Sequence, residues 1–368
     1  MVGLLVFLCL AIGLVVGIRK NKAADVAAHE ESFFAMDTYM TVTCYGRDGQ
    51  EAAVAARNEL ERLDQLLSAV DSDSSLKNYS SDKSEILYLN QHESGQVGPE
   101  VTYMLELANT ISERTDGAYD VTVAPLVELW GFTSGNYRVP SPEEITEALE
   151  KVDYSQIKIE SLNSGQIGEA DDADADSVTE NHGTGDDAAS YVFLGEGQRI
   201  GLGSIAKGYA SAAASDLVRS QGIESAILSL GGNIQCVGTK PDGSLWKVGV
   251  RDPRDRNDQS KLMGTLMVSD LAVITSGTYE RYFEGQDGRI FHHILDPKTG
   301  YPAENGMLSV TIVSQDAAMA DALSTACFVL GPEGAVQYWR NFGCGSLSDN
   351  SQTDKDNEDN DDCEDTPA

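Results

Sequence analysis

Asp321 and Thr325 lie four residues apart in the run Asp321-Ala322-Leu323-Ser324-Thr325. On a helix, such a pair shares one face. Residues 317–330 carry small and apolar side chains at helical spacing, with no Gly or Pro, so a helix is expected there. A carboxylate and a hydroxyl facing one way near a helix start are hard oxygen donors. They suit a cation such as Mg²⁺ and the phosphates of its substrate. The same pair also reads as a helix-start acid and a packed threonine, so the other motifs decide.

His292 and His293 are two of the chain's five histidines and precede Ile294-Leu295-Asp296-Pro297-Lys298-Thr299-Gly300-Tyr301-Pro302. That double Pro/Gly turn fixes a loop. Adjacent histidines before a rigid turn point to proton handling. Gly201-Leu202-Gly203-Ser204-Ile205-Ala206-Lys207-Gly208 opens a helix after a strand. Exposed backbone N–H groups and a lysine there make an anion site. The segment also matches G-x-G-x-x-A, with Glu224 at the spacing of a ribose acid, which keeps a nicotinamide-binding reading open. It is not a P-loop, because Lys207 is followed by Gly208. Gly117-Ala118-Tyr119-Asp120-Val121-Thr122 places an aromatic and a carboxylate at a loop-to-strand junction, where they could meet a planar ring or close a turn. Ser229-Leu230-Gly231-Gly232-Asn233 reads as a structural strand-to-turn, and residues 275–282 as a polar turn after a strand.

These residues need a scaffold. Residues 33–45 alternate and are β-rich, which predicts a strand after a polar linker reaching about Glu31. Helices are expected over 51–67, 100–115, 205–220 and from Ser141-Pro142-Glu143-Glu144, where Pro and acids mark a first turn. Strands are expected at 155–160, 191–194, 226–230, 246–250, 262–268, 272–275 and 308–313. Helices mixed with consecutive strands favour α+β with antiparallel sheet over a doubly wound fold.

The chain has 368 residues and a formal net charge of −33, from 59 acids against 26 bases. That balance argues against nucleic acid as a partner. Much of the acid is local. Residues 160–190 form an acidic insert and residues 346–368 an acidic tail. Both lack the apolar content to join a core, which predicts disorder. Residues 32–345 are left as one catalytic domain. Residues 2–18 form an unbroken apolar run within the segment 1–31, short for a membrane span and long for a signal core. Arg19, Lys20 and Lys22 follow it, which taken literally puts the rest of the chain on the cytoplasmic side. The six cysteines show neither a CxxC pair nor metal spacing, and Cys44, Cys236 and Cys327 read as core residues.

Several motifs occur together and in order: Met36-Asp37-Thr38, Ala118 to Thr122, Trp130-Gly131-Phe132, Leu202 to Ala210, Gly231-Gly232-Asn233, Thr275-Ser276-Gly277, His293 to Pro302 and Ala320 to Ala326. In this the chain resembles the ApbE family of FAD:protein FMN transferases, over about residues 33–343. The resemblance implies antiparallel sheets of T-fold-like type packed with helices. It implies Mg²⁺ as cofactor and FAD as substrate. The FMN half of FAD would pass to a Ser or Thr of an acceptor protein, such as a membrane redox-complex subunit or an FMN-binding domain, with release of AMP. Carried over by match, Met36, Ala118, Tyr119, Asp120, Lys207, His293 and Ile294 would contact FAD. The Ser204 carbonyl, Asp321 and Thr325 would hold the metal, and His293, Asp321 and Lys207 would carry the chemistry. Gly201 stands where the family often has Asp, and Asp37 where it usually has Gly. Tyr79 is the candidate for a ring-stacking residue in the loop 71–82. The family's usual location puts the domain outside the cytoplasmic membrane, tethered or released through residues 2–18. An FAD pyrophosphatase and a flavin-binding protein without turnover are the alternatives that the same residues allow.

Overall fold

A computed structural model describes residues 26–69, 84–162, 189–255, 258 and 260–343. The apolar run 2–18, the candidate Tyr79, most of the acidic insert and the whole acidic tail lie outside them. In chain order the elements are β1 (Ala28–Ala35), β2 (Thr38–Tyr45), α1 (Gly49–Leu67), α2 (Glu85–His92), β3 (Ser94–Val97), α3 (Pro99–Arg114) and a 3₁₀ turn (Val121–Val123). Next come α4 (Ala124–Leu129), α5 (Pro142–Leu149), β4 (Lys158–Ser161), β5 (Ser190–Phe193), α6 (Ala206–Ser220), β6 (Ala226–Leu230) and β7 (Asn233–Val237). The chain continues through β8 (Trp246–Arg251), β9 (Leu262–Val268), β10 (Ala272–Gly277), β11 (Tyr282–Glu284), β12 (Ile290–His292), β13 (Ser309–Ser314) and α7 (Ala317–Tyr338).

The expected α+β class with antiparallel sheet is what forms. The central sheet has six strands in the order β1-β2-β6-β7-β10-β13. Its strand pairs are antiparallel. Alternation along β6 assigns its two faces. Leu228 points into the main core with α1 and α6, while Ile227 joins Trp246, Val248 and Val268 of the β8–β9 hairpin on the other face. Helices therefore cover one side of the sheet and a hairpin covers part of the other. Cys44, Cys236 and Cys327 are free and buried, as expected.

A smaller apolar cluster of Leu126, Trp130, Phe132, Ile145, Phe291 and Leu295 supports the loop that follows β12. The Trp130 indole N–H donates to the Gly300 carbonyl at 2.9 Å. Gly300 has φ 73°, and a Cβ there would lie 2.5 Å from Ile145 Cγ2. The Gly300 N–H closes back on the Asp296 carbonyl at 2.8 Å. The turn read from the Pro/Gly pattern is thus locked from inside and from below.

Four expectations change. Residues 33–45 form a hairpin of β1 and β2, not one strand. Met36 and Asp37 both have positive φ, at 47° and 58°, the backbone of a two-residue hairpin turn. Alternation alone could not place that turn, because neither residue is Gly. β1 begins at Ala28, so the strand includes residues read as linker. Residues 121–123 form a 3₁₀ turn rather than a strand start, with the Asp120 carboxylate accepting from the Thr122 N–H. The acidic insert is narrower than residues 160–190. Ser161 pairs with Ser190, and the Leu162 N–H donates to the Ala189 carbonyl at 2.9 Å. The helix over 317–330 is present. Gly331, at φ 75° and ψ 178°, breaks it, and it resumes at Pro332.

Because β4 and β5 are paired up to Leu162 and Ala189, residues 163–188 can be exchanged for a two-residue Asn-Gly turn. The shortened protein is expected to unfold within a few degrees of the parent by calorimetry. A fall of more than about 10 °C would show that the insert supports the fold.

Candidate functional site

The site is built where α6 and α7 cross. Gly208, in the first turn of α6, lies against the backbone of α7. A Cβ at this position would sit 2.2 Å from the Ala317 carbonyl oxygen. The close approach lets the Gly208 N–H donate to Asp321 Oδ2 at 2.8 Å. In a regular helix this N–H would point at the Ser204 carbonyl. Its capture by Asp321 leaves that carbonyl for another partner.

Asp321 is 4% exposed. Its other oxygen, Oδ1, accepts from Asn233 Nδ2 at 3.1 Å. Both contacts come from neutral donors. Among the described residues no cation lies within ion-pairing distance of this carboxylate. A buried charge held only by neutral groups is costly unless a cation completes it. Thr325 lies one turn further on, and its hydroxyl is 3.4 Å from Ser276 Oγ. Ser276 Oγ also bonds Ser324 Oγ at 2.7 Å, and Ser324 donates to the Asp321 carbonyl at 2.7 Å. The Ser204 hydroxyl donates to the buried Tyr119 hydroxyl at 3.0 Å. Burial holds the Tyr119 phenol well above its ordinary value, and the Asp321 charge adds to this. The donor set of carboxylate, hydroxyl and freed carbonyl therefore fits a hard cation. Among the described residues there is no group of three His, Cys, Asp or Glu that could hold a metal. Such a cation would rely on one carboxylate and neutral oxygens.

A second group is coupled to this one through the charge of Lys207. His293 follows β12, and its Nδ1 lies 3.2 Å from the Arg281 carbonyl. A ring nitrogen beside a carbonyl carries the hydrogen, so Nε2 holds the lone pair. Desolvation lowers the His293 pKa to about 3, and the charges of Arg281 and Lys207 push the same way. The ring is half-buried, so water tempers the shift without reversing it. His293 is thus a neutral base at pH 7. The Lys207 ammonium donates to the Gly203 carbonyl at 3.3 Å at the mouth of α6. Burial raises the pKa of Glu280, while Lys207, Arg251 and Arg281 oppose it.

The structure brings Ser204, Lys207, Tyr119, Asp321 and Thr325 together around the start of α6, with His293 within electrostatic reach of Lys207. Met36 sits in the β1–β2 turn and packs on the main core. Two predicted flavin contacts have other uses. Asp120 accepts from the Thr122 N–H and hydroxyl on Oδ1 and from the Tyr154 N–H at 3.0 Å on Oδ2. Ile294 is buried with Ala303 and Phe328. Ala118 is also buried. Sequence reasoning assigned no site role to Asn233, Gly208, Ser276 or Arg281. For Asn233, Gly208 and Ser276 the signal was only their place inside the Gly-Gly-Asn, Lys-Gly and Thr-Ser-Gly runs, and for Arg281 its place in the polar turn 275–282. The dinucleotide fingerprint falls away. The strand before α6 belongs to the three-stranded sheet and the strand after it to the central antiparallel sheet, so there is no βαβ unit.

The protein is thus an antiparallel α+β fold with an oxygen-donor site beside a lysine and a neutral histidine. The chain belongs to the ApbE family, whose model matches residues 36–346. It is 34% identical over 248 residues to the FAD:protein FMN transferase of Treponema pallidum, covering 65% of this chain and 62% of that relative's length. It is 29% identical over 332 residues to the enzyme of the same name from Escherichia coli K12, covering 88% and 84% of the two chains. Among solved structures, the ApbE protein of Thermotoga maritima matches with TM-score 0.70 and 33% identity, over 86% of this chain and 92% of that one. The apo flavinyl transferase ApbE of Pseudomonas stutzeri matches with TM-score 0.66 and 27% identity, over 86% and 89%.

Gly208→Ala is expected to force α6 from α7, lowering stability by about 2–3 kcal/mol. Chemical denaturation of the purified variant checks this. Wild-type stability would show that the helices can separate freely.

Proposed function

We propose that this chain transfers the FMN half of FAD to a Ser or Thr hydroxyl of an acceptor protein and releases AMP. The observation that carries the reading is the buried Asp321 carboxylate, held by Gly208 and Asn233 and, among the described residues, completed by no cation. Family membership and the names of its relatives support the transferase class and FAD as substrate.

Asp321, Thr325 and the Ser204 carbonyl would hold Mg²⁺. Bound there, the ion would neutralise phosphate charge as the bridging P–O bond breaks. Phosphoryl transfer needs little covalent help from the protein, so positioning and charge do most of the work. Lys207, at the start of α6, takes part of the developing negative charge. His293 Nε2 accepts the proton of the acceptor hydroxyl as its oxygen bonds to phosphorus. Arg281 fixes the ring through its carbonyl, and its charge adds to the burial that keeps the ring neutral. The same site with water as acceptor would make free FMN and AMP, and product analysis separates the two. In-gel flavin fluorescence after incubation with FAD, Mg²⁺ and a candidate acceptor tests the reading directly. Free FMN alone would replace it with the pyrophosphatase.

The reading includes place. The catalytic domain is outside the cytoplasmic membrane, tethered or released through residues 2–18. Among the described residues no helix is long and apolar enough to cross a membrane, and residues 2–18 lie outside them. Protection from protease in cells with a permeabilised outer layer would overturn this location.

Asp321→Ala is expected to lower transfer by several kcal/mol of barrier, roughly a thousand-fold or more, with the fold intact. Near-normal turnover in limiting Mg²⁺ would remove Asp321 from the metal site.

His293→Ala is expected to slow transfer by about 10²–10⁴-fold while FAD still binds. The neutral ring is the active form, and its pKa lies below 6.5. The acid limb of the wild-type rate should therefore fall well under pH 6.5, and His293→Ala should abolish it. The linked stability effect has the same sign. Between pH 6.5 and the lowered value the unfolded chain binds the extra proton, so acid removes stability across that window. An acid limb centred at pH 6.5 or above would assign the base elsewhere.

A further inference from the structure

Asn233 is the first residue of β7 and follows the turn Gly231-Gly232, where φ is 60° and 108°. A Cβ on Gly231 would meet Thr38 Oγ1 at 2.1 Å, so β2 fixes the turn from below. Asn233 pairs through its backbone with Leu230. Its side chain is not needed for that pairing. It is 2% exposed and leaves the sheet to reach α7, where its amide meets Asp321 Oδ1. Only the NH₂ end of an amide can face a carboxylate, so charge fixes its orientation.

Two donors from two separate elements thus take one Asp321 oxygen each: the Gly208 N–H from α6 and the Asn233 amide from β7. The terminal torsion of an aspartate is otherwise broad. One donor would leave the carboxylate free to swing about the bond it makes. Two donors set its plane and leave a lone pair on each oxygen for a further partner.

We propose that Asn233 is a positioning residue for the transfer, holding the Asp321 carboxylate in the orientation that receives the cation. This rests on the reading of Asp321, Thr325 and the Ser204 carbonyl as a cation site. Asn233 itself touches neither cation nor substrate. Outer partners of this kind commonly set metal affinity by about 10- to 100-fold.

The test titrates Mn²⁺ alone into the full-length, FAD-free protein by calorimetry, with thermal unfolding of each variant measured in parallel. Asn233→Ala should bind Mn²⁺ about 10- to 100-fold more weakly at nearly unchanged Tm. Its transfer rate should return towards wild type at saturating metal, so that the loss sits in the metal requirement rather than in kcat. Asn233→Gln, which keeps an NH₂ donor, should recover part of the affinity. Should Asn233→Ala not fold, Asn233→Ser takes its place with the same expectation. Wild-type Mn²⁺ affinity in the folded Ala or Ser variant overturns the inference. So does a Gln variant no better than Ala. Absence of Mn²⁺ binding by the wild-type protein would instead overturn the cation site itself, and this inference with it.

Discussion

The bond from the Gly208 N–H to Asp321 Oδ2 is the contact on which the site depends. It exists only because α6 and α7 touch backbone to backbone. That approach needs a glycine at 208 and small residues along α7, where Ala317, Ala318, Ala320 and Ala322 are all buried. The same bond turns an N–H away from its helical acceptor and opens the start of α6. One requirement thus links the small-residue composition of two helices, a freed carbonyl at Ser204 and a buried carboxylate. A carboxylate placed there without its two donors would be an uncompensated charge in the core.

Charge is distributed against the grain of the chain. The protein is strongly acidic, yet Lys207 and Arg281 both act on His293. This local excess of positive charge suits a diphosphate ester, whose anionic oxygens must approach an acidic protein. Burial lowers the His293 pKa, and these charges add to the effect. Glu280 moderates the cluster. Its carboxylate lies 3.8 Å from where a Cβ on Gly232 would sit, beside the turn that precedes Asn233.

Rigidity comes from elsewhere. The loop after His293 is fastened by the Trp130–Gly300 bond and by the Leu295–Pro302 bridge. The aromatic cluster of Trp130, Phe283 and Phe291 lies beneath it. A base offered by a mobile loop would spend little time in reach of a hydroxyl. Here the loop is pinned at Gly300 and between Leu295 and Pro302.

The sequence by itself determined the class of fold and most elements, and it nominated most residues of the candidate site. Periodicity showed α6 and the first part of α7, Ser141-Pro142-Glu143-Glu144 was readable as a helix start, and a spacing of four put Asp321 and Thr325 on one helix face. These are local properties, and local properties are written in neighbouring residues. The motifs also carried a family resemblance, because their order along the chain is itself sequence information. What only the tertiary structure decided are relations between distant segments. It alone made residues 33–45 a hairpin, since a turn without glycine leaves the alternation unbroken. It gave the Asp120 carboxylate to Thr122 and Tyr154 and put Ile294 among Ala303 and Phe328. It brought Asn233 from β7 and Gly208 from α6 to the two oxygens of Asp321, although 88 and 113 residues separate them along the chain. A hydrogen bond across such a distance depends on how sheet and helices pack, and no pattern within a single segment encodes it.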